Sequence, residues 1–144
     1  MPRHRVLATV SVGILAATAV SVAPAHAATD WRSRLTYQDA RAQICADVNA
    51  DGTATVLLRM NNRRGELKVK TLISSVRADG RPDRTLKLTP WAEAGEVSRP
   101  AAYDGLGADD LFFVEISQRF DEGAGIVKTS AEPLLVSAQA PCTQ

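Results

Sequence analysis

The chain has 144 residues, 45% of them hydrophobic and 23% charged, with 17 basic against 16 acidic side chains. That length suits one domain with a modest core. The near balance of charge argues against a nucleic-acid binder, which carries a basic excess.

Arg3 and Arg5 open the chain with positive charge, residues 6–22 are mostly apolar and uncharged, and Ala25-His26-Ala27 forms a small-x-small site. This is the layout of a secretory signal peptide over residues 1–27, cut after Ala27. The apolar run is marginal as a membrane span, and the break at Pro24 together with the cleavage site favours removal over anchoring. No paired arginines precede it, so the general secretory route is expected. An exported bacterial extracellular protein follows, with no membrane span after cleavage.

Residues 28–144 then form a mature chain of 117 residues; losing Arg3 and Arg5 leaves 15 basic against 16 acidic residues, a net charge of −1. Both histidines, His4 and His26, leave with the signal. Without them the mature chain has no Ser-His-Asp or Cys-His nucleophile, no histidine general base and no histidine-ligated zinc. Two cysteines remain, Cys45 and Cys142. An even pair in an exported protein is most simply a disulfide. Closing so long a loop contributes roughly 4–5 kcal/mol in the chain-entropy description.

Residues 28–42, ATDWRSRLTYQDARA, read as an N-terminal lead-in, where Thr36-Tyr37-Gln38-Asp39 could open a short helix as a capping box or belong to an irregular tail. The domain proper is expected over 43–144. Residues 43–48 alternate, with Ile44, Ala46 and Val48 on one face. Residues 53–60, TATVLLRM, are β-branched and aliphatic. A polar turn at 61–65 leads to 66–76, ELKVKTLISSV, whose alternation slips near Leu72-Ile73, as at a bulge or a doubly buried strand. After a turn at 78–83, residues 84–89 alternate again. Residues 89–110 hold Pro90, Gly95, Pro100, Gly105 and Gly107 and lack a pattern. Residues 111–120, LFFVEISQRF, form the strongest strand, and 126–129 and 134–138 flank a break at Pro133. Six to seven short strands with no sustained helical period point to an all-β fold. The expected architecture is a small immunoglobulin-like β-sandwich. The cysteine spacing and Trp91 differ from the antibody arrangement, so only the shape class is implied.

The stretch Asp47-Val48-Asn49-Ala50-Asp51-Gly52 has the opening spacing of a calcium loop. Such a loop closes with a bidentate carboxylate at position twelve, and Leu58 stands there. The flanks favour extended chain, and Asp-Gly between two apolar strands is a hairpin signal. A turn is the expected structure.

Other candidates are less marked. Trp91 and Tyr103, in the long segment 89–110, could stack on sugar faces or anchor a protein, or could close the ends of the core. Asp104, Asp109 and Asp110 surround two glycines in an oxygen-rich loop that a cation could use; a solvated acidic turn is the plainer alternative, as it is for Asp121 and Glu122. Arg59, Arg63, Arg64, Lys68 and Lys70 form a basic neighbourhood that could touch anionic surface polymers, or serve as an ordinary charged face that discourages edge pairing. Paired carboxylates can cleave glycosides without histidine, but no pair is marked by its context.

The expectation is therefore a small secreted, disulfide-closed binding domain with no catalytic activity, cofactor or metal, and a monomeric state. Its partner would be an extracellular protein or a cell-envelope polymer. A carbohydrate-binding wall module and an inhibitor of an extracellular hydrolase are the alternatives.

Overall fold

A computed structural model describes residues 31–142, so the expected signal segment lies outside the described residues. The elements run β1 (Arg32–Tyr37), β2 (Ala40–Val48), β3 (Thr53–Asn61), β4 (Val69–Val76), β5 (Pro82–Leu88), β6 (Ala101–Gly107), β7 (Leu111–Phe120), β8 (Gly123–Thr129) and β9 (Leu134–Leu135), followed by a 3-10 turn at Val136–Ala138. They form two antiparallel sheets, one in the order β1-β2-β3-β6 and one in the order β5-β4-β7-β8, with β9 added to β7. The fold is all-β and sandwich-like.

Alternation fixes which face of each strand is inside. Ala42, Ile44 and Ala46 of β2 and Val56, Leu58 and Met60 of β3 face inward from the first sheet. Val69 and Ile73 of β4 and Phe112, Val114 and Ile116 of β7 meet them from the second. Small alanines on β2 leave room for larger side chains opposite, as interdigitating sheet faces require. The phase slip at Leu72-Ile73 has a simple origin. β4 is central, between β5 and β7, and Thr71, Leu72, Ile73 and Ser74 are all buried, with a register shift against β5 after Ile73.

Two expectations need correction. Within the expected lead-in 28–42, the described residues are neither a tail nor a helix start: residues 32–37 form β1, and β2 begins at Ala40, so the expected boundary at residue 43 falls inside a strand. Tyr37 pairs with Ala40 across a two-residue loop, and Gln38 and Asp39 both have positive φ, at 43° and 66°. That is the geometry of a tight hairpin turn whose twist matches its strands. Residues 89–110 are likewise not one long loop. Thr89 and Ala92 extend the β5 edge along β4 through hydrogen bonds to Thr71 and Val69, and Val97 bridges to Asn61 before β6 pairs with β3.

The disulfide joins Cys45, in β2, to Cys142 after the 3-10 turn, over a sequence separation of 97 residues. Both cysteines are buried. The Ala46 amide donates to the Ala140 carbonyl at 2.9 Å, so the final segment runs against β2 beyond the end of β1. Such a bond fits an oxidising compartment. No helix among the described residues is long and apolar enough to cross a membrane.

At the other end of the first sheet, Asn62 holds the β3–β4 loop. Its fully buried side-chain amide donates to the carbonyls of Leu67 at 2.6 Å and Glu93 at 2.9 Å. Its backbone N–H donates to Glu96, and its carbonyl accepts from Gly65 and Gly95. One side chain thus ties the loop carrying Arg63 and Arg64 to the segment that crosses between the sheets.

Candidate functional site

β5 and β6 are edge strands of different sheets on the same side of the molecule. Between them lies a cleft of about 440 Å³ that opens at the β6–β7 turn. Leu86, Tyr103 and Leu106 form its floor and pack against the core. The Tyr103 ring lies over the backbone of its own strand, since a Cβ at Gly105 would stand 2.4 Å from the tyrosine oxygen. Glycine at 105 is therefore what admits the ring. Leu111 contributes a large apolar side chain that is 44% exposed, and Arg84 and Asp109 add opposite charges to the lining. An apolar floor with a few polar groups around it is the usual make-up of a binding cleft.

Tyr103, Asp109 and Asp110 therefore come together here, but Trp91 and Asp104 do not. Asp104 leaves the cleft and accepts a hydrogen bond from the Thr55 hydroxyl at 2.7 Å. Asp110 accepts from the Gly107 amide at 2.7 Å and so tightens the turn into β7. The three aspartates do not converge, and no group of three or more potential metal ligands is found among the described residues. Trp91 sits at the start of β4, where the Lys70 ammonium lies 4.4 Å from its ring centroid. Lys70 is separated from the cleft residue Ser75 by roughly 17 Å of strand. The two aromatic rings thus share no platform.

The Asp-Gly stretch is a hairpin turn. The Gly52 amide donates to the Asn49 carbonyl at 3.0 Å, and Gly52 has φ 82°, a left-handed conformation that glycine adopts without strain. Asp51 accepts from the Thr53 amide at 3.0 Å and from the Thr53 hydroxyl at 2.6 Å. The hydroxyl bond first, and the amide bond second, hold the Asp51 carboxyl below its ordinary value. Asp47 accepts from the Cys142 amide at 2.8 Å. The two aspartates of this calcium-like spacing are thus both engaged by the fold.

Several residues were not marked by the sequence. Arg84 and Leu86 look like ordinary members of an alternating strand. Arg59, which the sequence does mark as part of a basic neighbourhood, stacks on Trp31 at 4.3 Å from the ring centroid, a contact the sequence did not suggest, and its Nε donates to Gln43 at 2.8 Å. Burial, and then the charge of Arg63, lower the affinity of the Arg59 guanidinium for its proton. Glu115 is a nearly buried carboxylate on the second sheet that accepts from the hydroxyls of Ser74 and Thr129. Comparison with known protein families, curated proteins and solved structures finds no match.

Proposed function

We propose that the mature chain is an exported, non-enzymatic binding domain that takes a segment of an extracellular protein in the β5–β6 cleft. The observation that carries this is the cleft itself, in which Leu111 is left exposed beside an apolar floor, Arg84 and two aspartates. Exposed apolar side chains beside a pocket are what a partner's anchor residue covers. Lack of histidine in residues 28–144 supports a role without catalysis. The disulfide and the signal-like start support secretion. Packing of β1-β2-β3-β6 against β5-β4-β7-β8 supports an immunoglobulin-like reading of the sandwich.

The two alternatives have less support. A carbohydrate-binding module would present its rings together, and Trp91 and Tyr103 lie at opposite ends of β4. An inhibitor would present a protruding loop, and residues 89–98 are laid along β4 and β3.

The test is retention. Residues 28–144 are immobilised and exposed to concentrated culture supernatant, washed cell wall, chitin and cellulose. A discrete secreted protein should bind the wild type and be lost with Leu111→Arg, while Trp91→Ala leaves it bound. Retention on a polysaccharide that depends on Trp91 would overturn this in favour of the carbohydrate module.

A further inference from the structure

A second feature lies at the far end of the first sheet and is independent of the cleft. Arg41 of β2 and Asn61 of β3 are register partners, and Arg63 and Arg64 follow in the loop that Asn62 holds. With Asp39 these residues surround a hollow of about 230 Å³. The Asn61 side-chain oxygen accepts from the Arg63 amide at 3.3 Å, which leaves its amide group as a donor toward the hollow. None of the three arginines takes part in an ion pair among the described residues; those found are Lys68 with Glu93 and Arg77 with Asp79. Asp39 is the single carboxylate in the lining.

The positive charge continues beyond the hollow. Arg59 lies next along β3, paired in register with Gln43, and is close enough to Arg63 to feel its charge. The Nε of Arg34, on β1, is buried without a hydrogen-bond partner. Three guanidinium groups set against one carboxylate leave a net positive charge whose groups repel one another, and a bound anion removes that cost. Guanidinium groups present paired donors that match the oxygens of phosphate and carboxylate. Here they come from a strand and from a loop, so they approach from several directions. A tetrahedral phosphate offers oxygens to all of them, whereas a planar carboxylate does not.

We propose that Arg41, Arg63 and Arg64 form a phosphate-binding hollow that, with Arg59, holds a linear phosphate-bearing polymer of the cell envelope against the first sheet. The hollow takes one phosphate group, and the row toward Arg59 takes the next along the chain. This goes beyond the cleft proposal and uses none of its residues. A domain with both sites would be held at the envelope by one and meet its protein partner with the other.

The probe is long-chain polyphosphate, titrated into residues 28–144 at 50 mM and 200 mM salt, with inorganic phosphate and polyglutamate as separate arms. Polyphosphate should bind at 50 mM salt. With four arginine contacts its affinity should fall roughly 50-fold between the two salts through counterion release. Arg63→Ala with Arg64→Ala should weaken binding at least tenfold without a change in melting temperature, since both side chains are exposed. Asp39→Asn removes the repelling carboxylate and should tighten binding several-fold; asparagine tolerates the positive φ at this position. The control pair Lys87→Ala and Lys128→Ala, on the second sheet, removes equal charge and should have little effect. Absence of binding at 50 mM salt would overturn the proposal. So would an equal loss in the control pair, which would mean attraction to net charge alone. Per-phosphate affinity no better for the polymer than for inorganic phosphate would reduce the site to a free-ion site. Preference for polyglutamate would replace the polymer with an acidic polypeptide.

Discussion

At the β2–β3 end of the first sheet, Asp47, Asp51, Asp104 and Asp110 each accept a hydrogen bond from the fold, from Cys142, Thr53, Thr55 and Gly107. At the opposite end, Arg41, Arg63 and Arg64 stand around a hollow with Asp39 alone as a carboxylate. In the sequence the two ends look alike: short runs of charge beside glycine and asparagine. In the fold one set of charges closes turns and the other remains available. A net charge of −1 over residues 28–144 hides this segregation, because a sum over the chain does not say where the charges sit. Composition can therefore exclude a strongly basic binder without excluding a basic site.

The largest test of the acidic end is removal of its crosslink. Asp47 accepts from the backbone of Cys142 itself, so the disulfide and the carboxylate fasten the same segment to β2. Replacing Cys45 and Cys142 with alanine should lower unfolding stability by roughly 4–5 kcal/mol, since the closed loop is long. Urea titration of the two proteins measures it. A difference below about 1 kcal/mol would mean that the noncovalent contacts, among them Asp47 with the residue-142 amide and Ala46 with Ala140, already hold this segment.

A smaller effect should appear at the arginine end, through Gly65 and not through the arginines. A Cβ at Gly65 would fall 2.0 Å from the Asn62 side-chain oxygen. Asn62 would have to move, and its bonds to Leu67 and Glu93 would strain or break. Gly65→Ala should cost about 2–3 kcal/mol, from crowding plus buried carbonyls left unpaired. Polyphosphate binding should fall with stability, because Arg63 and Arg64 ride on the same loop. Loss of binding with stability intact is reserved for the arginine variants, and that contrast separates what holds the loop from what the loop holds out.

Much of the fold was legible along the chain because burial imposes a period of two. The strands at 53–60, 84–89 and 111–120, the Asp-Gly hairpin and the cysteine pair all follow from residue pattern. β1 and β6 were not legible. β1, RSRLTY, holds only two large apolar residues, and β6, AAYDGLG, is made mostly of small residues and glycine, so neither shows a clear apolar alternation. The turn between β1 and β2 uses Gln38-Asp39, which lacks the glycine that usually announces such geometry. β6 contains Gly105 because Tyr103 lies across it, and a glycine there reads as a loop. Tyr103 was marked as a candidate and does line the cleft. Arg84 was not, because its meaning depends on which sheet edge faces it. The arginine hollow needed the pairing of Arg41 with Asn61, and pairing register across two strands is not written in either one.

The finest distinction between the two ends is their response to acid. Asp51 accepts both the hydroxyl and the amide of Thr53, and these bonds hold its carboxyl below the ordinary value of 3.8. A depressed carboxylate stabilises the folded state above its unfolded pKa, and that contribution fades as pH falls through the lower folded value. The melting temperatures of the wild type and Asp51→Ala should therefore differ by a constant amount from pH 7 to about pH 5, and converge as the solution is acidified toward pH 2. Arginines keep their charge throughout that range, so Arg63→Ala should show no comparable convergence. If the Asp51 gap instead persists to pH 2, its ionised carboxylate does not contribute, and the turn rests on its backbone bonds and on Gly52. Asp51 would then no longer belong with the charges that serve the fold, and the contrast between the two ends would rest on Asp47, Asp104 and Asp110.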